Sequence, residues 1–236
     1  LAIDIPFIWT ALTEIVKALP ITMMLTLIPL SIGFLIGLAV ALIRVYEVKG
    51  LTAIANGYVS FLRGTPIIMH IMIIYFGLPL LIDKAAVQLG LESNSQNIPI
   101  IIFVLTALSL SAGAYLSEVI RSGISSISKG QAEAAYSVGM NTFQTLFRII
   151  LPQALAQSIP NFTNIFIGFL HTSSIAFIVS QKELTGAANI VASTNLKFLE
   201  AFIAAGIIYW VLTILVESLS SLMEKKATSY TRGGVR

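Results

Sequence analysis

Long uncharged apolar blocks alternate with short charged connectors along this chain. Ala18 to Ile43 carries no charge. As a helix it would reach about 39 Å, more than the ~30 Å hydrocarbon core of a bilayer, so a tilted span fits. Gly64 to Ile82 is a second block, expected to begin earlier, near Gly57; Ser93 to Ser117 is a third, its apolar part starting near Ile98. Ile149 to Gln181 is free of Lys, Arg, Asp and Glu, and is interrupted by Pro152, Pro160 and His171. Each proline removes a helical donor, so a turn or kink is expected before and within this span. Ala201 to Val216 is a fifth block, extended to about Leu222. Unbroken apolar runs are unlike the short alternating segments of a strand barrel. The pattern predicts an all-α membrane protein: one transmembrane domain over 1–236, with five spans near 18–43, 57–82, 98–117, 152–180 and 200–222.

Five spans put the two ends of the chain on opposite sides. Alternate connectors give one side Arg44, Lys49, Arg63, Arg121, Lys129, Arg148, Lys225, Lys226, Arg232 and Arg236, and the other Lys17, Lys84, Lys182 and Lys197. The richer side is expected in the cytoplasm, with the N-terminus outside and the C-terminus inside. Residues 1–17, with Phe7 and Trp9, read as a short outer interfacial segment. The chain opens on Leu1 and Asp4 without a basic stretch or cleavage site, so no removable signal peptide is expected. Composition agrees: 56% hydrophobic and 11% charged, against about 25% charged in soluble domains. The net charge of +3 follows from the inner-side basic residues and calls for no nucleic-acid partner. Cysteine is absent and there are two His, so neither disulfides nor an ordinary zinc site is expected. No nucleophile–base pair or paired carboxylate suggests catalysis.

The longest inner connector, 122–150, holds Glu133-Ala134-Ala135, then Gly139, and leads to Ile149, Leu151 and Pro152. Residues 131–138 suit a short helix, with Glu133 in the first turn against the positive helix end. Gly139 can take the left-handed conformation that reverses the chain. Phe143, Leu146 and Phe147 then recur at helical spacing. Two short helices joined by a glycine turn would make a rigid knob able to fit a groove on another protein.

The spacing EAA-x3-G-x9-I-x-L-P resembles the loop signature of ABC importer permeases, with every fixed position filled. At a chance of ~0.07 per position, seven matches arise with probability on the order of 10⁻⁸ per start. Phe61-Leu62-Arg63-Gly64-Thr65-Pro66 and Ser111-Ala112-Gly113-Ala114-Tyr115-Leu116-Ser117-Glu118 are similar to the polar amino-acid branch, the histidine and glutamine permease type. The resemblance runs from about Thr22 to Leu222. It implies the type I ABC importer permease fold, with short cytoplasmic coupling helices, in a multi-pass bacterial inner-membrane protein. It implies that Glu133, Ala134, Ala135, Gly139, Leu146, Arg148 and Pro152 meet an ATP-binding subunit present in two copies. A second permease copy, the same or different, and an extracellular or periplasmic amino-acid-binding protein complete the expected assembly. No G-x-x-x-x-G-K-[ST] occurs, and no Gly is followed by Lys. ATP and Mg are therefore expected on the partner subunit, with no cofactor and no catalytic residue in this chain.

Polar groups within a span are costly, which makes each a candidate site. The fourth block offers Asn161, Thr163, Asn164, His171, Thr172, Ser173 and Ser174. Asn161 and Asn164, three apart, share a helix face. The family resemblance implies that the segment after Pro160 lines the translocation path and that Asn161 and Asn164 contact the amino acid. Ser173, Ser174, Met69, His70, Ser111 and Ala114 complete the expected path, although a hydrogen-bonded structural role is the larger expectation for His70, and close helix packing for Ser111 to Ala114. His171 stands where the family commonly has Lys. No Asp or Glu falls near the middle of a span, which favours a neutral or zwitterionic amino acid. Ser173 to Phe177 resembles cystine-type members. A stand-alone secondary transporter or channel is the alternative; such carriers usually bury acids for ion coupling or show internal repeats, and neither is seen here.

Overall fold

A computed structural model describes residues 3–91 and 95–232; Leu1, Ser93, Arg236 and the side chain of Arg232 lie outside the described residues. Eleven α-helices and no strand occur among them: α1 Ile5–Ile15, α2 Leu19–Val45, α3 Leu51–Gly64, α4 Ile67–Gln88, α5 Ile100–Ser126, α6 Lys129–Ser137, α7 Thr142–Thr145, α8 Leu151–Gln157, α9 Ile159–Thr172, α10 Leu184–Asn195 and α11 Phe198–Arg232. Five stretches are long and apolar enough to cross a membrane: Ile5–Val45, Ile67–Gln88, Ile100–Ser126, Ile159–Val179 and Phe198–Lys226. The basic connectors 46–50 and 127–150 lie at one end of these spans, the basic end; α1 and α10 lie at the other.

The second span starts at Ile67, not near Gly57. Pro66 bars a helical conformation at the residue before it, and Thr65 is accordingly extended, with φ −125° and ψ 152°. The Leu51–Gly64 stretch becomes a separate helix, α3, resting on α2 and α5. The fourth span is broken too. α8 ends at Ser158, α9 begins with Pro160 in its first turn, and a 3₁₀ segment, Ser173–Val179, finishes the crossing. The N-terminal segment is more than an interfacial strip. It forms α1, joined to α2 by one 3₁₀ turn, with Ala11 and Ile15 fully buried against α10 and α11. Trp9 stays exposed.

The frame is the pair α2–α5. A Cβ added to Gly33 would stand 2.5 Å from Ala112 Cβ and 2.9 Å from the Gly113 nitrogen, and one added to Gly37 would stand 2.9 Å from the Ser117 nitrogen. The register advances together on both helices, so they run parallel, with backbones in direct apposition. Gly113 is hemmed in by Ile36 of α2 and by the Tyr58 hydroxyl of α3. Lipid gives no hydrophobic reason for helices to associate, so close approach of small residues supplies the adhesion. α5 is the central helix: 61% of its most apolar window is buried, against 11% for α4 and 22% for α11. Leu25, Ile71, Val104, Leu108, Leu116 and Phe169 join α2, α4, α5 and α9 in one core.

We expect Gly33→Leu to destabilise the fold by about 1–3 kcal/mol, the usual cost of overpacking a tight contact. A thermal melt of the purified chain in detergent measures it. Gly77→Leu, where an added Cβ meets nothing within 4 Å, serves as the matched control and should melt close to the parent.

Candidate functional site

The loop 127–150 at the basic end is built from two caps. The Ser128 side chain accepts from the Gly130 nitrogen at the start of α6. At the end of α6, Gly139 adopts φ +84°, its nitrogen donates to the Tyr136 carbonyl at 3.0 Å and the Met140 nitrogen to the Ala135 carbonyl at 3.1 Å. This is a Schellman-type reversal, which favours glycine at the left-handed position. Asn141 then starts α7 with a capping box to Gln144. A π turn, Leu146–Ile150, carries the chain into α8 with Pro152 in its first turn. Two expectations need correction. Glu133 lies beyond the first turn of α6, because the helix begins at Lys129 rather than 131. The second helix is no isolated piece either; it continues into α8.

Ala135, Thr145 and Leu146 are buried and hold the knob to the bundle, and the Gln153 side chain donates to Gln131 at 3.3 Å. Glu133, Ala134, Gly139 and Arg148 are exposed. Beside them Val138 is 77% and Phe143 69% exposed, with the Phe143 and Phe147 rings 4.5 Å apart. The loop thus offers an apolar, partly aromatic surface at the basic end that nothing among the described residues covers.

The residues expected along a substrate path separate into two groups. Asn161 and Asn164 are exposed on α9, and Gly168 and His171 continue the same exposed face. Met69 is also open. By contrast His70, Ser111, Ala114 and Ser173 are buried, and Ser174 is half-buried. His70 is fixed by Thr65 Oγ1 at 2.7 Å and Ser111 Oγ at 2.8 Å, a bridge that ties α4 to α5 across the break at Pro66. The Ser173 hydroxyl donates to the Leu170 carbonyl. Thr163, next to the open face, pairs with Ser220 of α11. His171 is held at the edge of the face by Thr213, 3.1 Å away.

Two carboxylates matter that sequence reasoning undervalued. Glu118 is the anion at the centre of Arg44, Arg63 and Arg121. Glu183 is fully buried at the opposite end. It accepts from the Thr185 nitrogen at 2.9 Å, the Gly186 nitrogen at 2.7 Å and the Tyr209 hydroxyl at 2.8 Å. The Leu184 nitrogen meanwhile donates to Thr22 Oγ1. The open amino end of α10 is thereby satisfied by its own cap Glu183 and by Thr22 of α2, with Tyr209 of α11 donating to that cap, as a buried helix end requires. Burial pushes the Glu183 carboxyl up from its ordinary value, against the pull of these donors.

The family described as "Binding-protein-dependent transport system inner membrane component" matches residues 33–229. The chain belongs to that family. Among curated members of this permease family it is 37% identical to the "Probable amino-acid permease protein YxeN" of Bacillus subtilis, over 94% of this chain and 95% of the relative. It is 34% identical to the "L-cystine transport system permease protein TcyL" of the same organism, over 95% and 92%. A solved structure described as an "amino acid ABC transporter with histidines" superposes with a TM-score of 0.80 at 31% identity, covering 96% of this chain and all of the other. The fold is that of type I ABC importer permeases, and the chain is a permease component of an ABC amino-acid importer. A stand-alone carrier or channel is not favoured by these relationships.

We expect Glu183→Ala to cost about 1–3 kcal/mol, because two backbone N–H groups and a phenol lose their acceptor in a buried place. Glu183→Gln, which keeps one acceptor oxygen, should cost less. A raised carboxyl pKa means that the folded state holds more protons than the unfolded one just above 4.5. This contribution to stability therefore falls as pH rises through that window and is absent in Glu183→Gln. The difference between the two melting-temperature profiles against pH measures it.

Proposed function

We propose that this permease imports a polar amino acid without net charge, with cystine the first to test. The carrying observation is the open face of α9, where Asn161, Asn164 and His171 stand exposed within a span. Uncovered polar groups at that depth need water, a ligand or a second chain as partner. Amide side chains can donate to a carboxylate and accept from an ammonium, which suits a zwitterion. A cationic substrate would want a carboxylate; Glu183 is consumed by its own donors and Glu118 by three arginines. The likeness to a relative named for L-cystine transport supports the choice.

In this reading Asn161, Asn164, Ser174 and Met69 line the path, while the buried His70, Ser111, Ala114 and Ser173 hold its wall. Two ATP-binding subunits, carrying ATP and Mg, seat the α6–α7 knob through Glu133, Ala134, Ala135, Gly139, Leu146, Arg148 and Pro152. A second permease copy closes the path, an extracellular or periplasmic binding protein delivers the solute, and the knob faces the cytoplasm with the N-terminus outside. ATP shifts the assembly between outward-open and inward-open states, which requires different affinities for the two.

Uptake into vesicles carrying the permease, its ATP-binding subunit and its receptor tests the reading. L-cystine or another uncharged amino acid should be accumulated with ATP, and arginine should not; the reverse preference would refute it. Asn164→Leu should lower uptake about three- to tenfold, the worth of one hydrogen bond, with the ATP-binding subunit still bound. Gly139→Pro cannot adopt the left-handed backbone of the native turn and loses a backbone donor, so ATP hydrolysis should continue while uptake collapses. The cysteine-free chain also permits an orientation test. Ser137→Cys should react with an impermeant maleimide from the cytoplasmic side, and Ser193→Cys from outside.

A further inference from the structure

A cavity of about 350 Å³ opens at the basic end between the carboxyl end of α2, the amino end of α3 and the last turns of α5. That is the lower end of the ~300–1,000 Å³ range of small-ligand pockets. Its wall includes Arg44, Lys49, Arg121, Asn56 and Thr52, with Glu47 the acid among the lining residues. The arginines are aimed rather than loose. Glu118 takes Arg44 on Oε1, and Oε2 accepts from Arg121 Nη2 at 2.8 Å and Nε at 3.2 Å. Arg44 Nε donates to Asn56 Oδ1 at 2.7 Å. This leaves Arg44 Nη2 and Arg121 Nη1 without a hydrogen-bond partner among the described residues. Arg63 stands 3.7 Å from the same Oε1, so one carboxylate serves three guanidiniums. Lys49, exposed, brings a further positive charge. The amino end of α3 has no side-chain cap and adds the positive pole of its helix.

Balanced ion-pair networks match their charges. This one holds a surplus of positive charge around an open cavity, with guanidinium edges converging from two helices. Such edges suit an anion with several oxygens. The cavity also sits where α2 ends at Val45 and where α5 nears its end at Ser126, the depth at which basic side chains meet phospholipid headgroups. We infer that this cavity is a phosphate-binding site, filled by the headgroup of an acidic phospholipid or by a free phosphate compound. The inference stands whichever solute the permease carries.

The test uses the full chain in nanodiscs of phosphatidylcholine containing phosphatidylglycerol, released into detergent and weighed by native mass spectrometry. Phosphatidylglycerol should be retained in preference to phosphatidylcholine. Lys49→Gln should weaken retention about fivefold, the effect of one basic residue at a membrane surface, and Lys49→Glu more. Lys49 is exposed, so these variants carry little folding risk; Arg121→Gln is the second pair member. Lys225→Gln, also exposed but outside the cavity, should leave retention unchanged. Excess inorganic phosphate separates the two sources. Displacement of the lipid means that the phosphate group alone is read, and persistence of the lipid means a headgroup site; both support the inference. Equal retention of the two lipids with no phosphate effect would overturn it. So would a phosphatidylglycerol preference untouched by Lys49→Glu and Arg121→Gln.

Discussion

Close backbone contact between α2 and α5 is the constraint on which the rest of the molecule leans. In water a helix pair gains from burying apolar faces, but the lipid outside these spans is as apolar as their side chains. What remains is the density of contact, and density needs small residues. Gly33 and Gly113 admit no Cβ without collision, so the two axes approach as nearly as helices can. The last span, α11, packs on α1, α9 and α10, while α3, α4 and α9 each touch α5 in the frame. α4 joins it through His70 and Ser111, α3 through the Tyr58 hydroxyl donating to the Leu110 carbonyl at 2.6 Å, and α9 through Phe169 packed on Tyr115.

The carboxylates of Glu183 and Glu118 serve opposite ends in opposite ways. Glu183 is satisfied by backbone and phenol donors without a cation, and its purpose is local: it fixes where α10 begins relative to α2 and α11. Elsewhere the Lys197 ammonium lies beside Asp4 and holds that carboxyl below its ordinary value, tying the start of α1 to the start of α11. The cap α1–α10–α11, opposite the basic end, is therefore knitted from several long-range polar contacts. Glu118, with three guanidiniums, does the reverse; it gathers charge instead of neutralising it, and leaves the basic end with a surplus directed at a cavity.

Run length and charge spacing made the five spans legible, because the bilayer imposes a length that no connector can imitate. The loop at the basic end was legible because its reversal needs a left-handed residue, and Gly139 supplies one at the end of a short helical stretch. The break before Ile67 was less visible. Apolar residues stand on both sides of Arg63 and Pro66, so hydropathy runs on where backbone geometry stops. Glu183 was hidden for another reason. It follows Lys182 just past an apolar block and reads as a solvated connector. Its burial depends on Thr22 and Tyr209, which no local pattern brings near. One signal was present: an acid directly before Leu184-Thr185-Gly186, where a helix start would use it as a cap. The path candidates divided because periodicity gives the face of a helix but not what covers it. Ser111 and Ala114 lie on the crowded side of the central helix, and Asn161 and Asn164 on the uncovered side of α9.

These features also say where the molecule can bend. A seam packed backbone to backbone has no slack, so α2 and α5 move as one piece or not at all. The candidates for hinges are the places where the helical hydrogen-bond ladder is already interrupted. One is the extended Thr65–Pro66 link before α4. Another is Ser158, between α8 and α9, where the residue after next is a proline that donates nothing back. A third is the 3₁₀ segment that ends at Ser180 in the left-handed region. Two of the three lie in the fourth crossing, at either end of the α9 face that bears Asn161 and Asn164. The α6–α7 knob is covalently continuous with the first of them through the π turn and α8. The knob also follows α5 directly through Ile127 and Ser128, and α8 packs on Ala41, Ile120 and Ile124, so a force applied at the α6–α7 surface reaches both the α2–α5 frame and α9; the interrupted fourth crossing, with its polar face, is the part of the bundle such a force can turn.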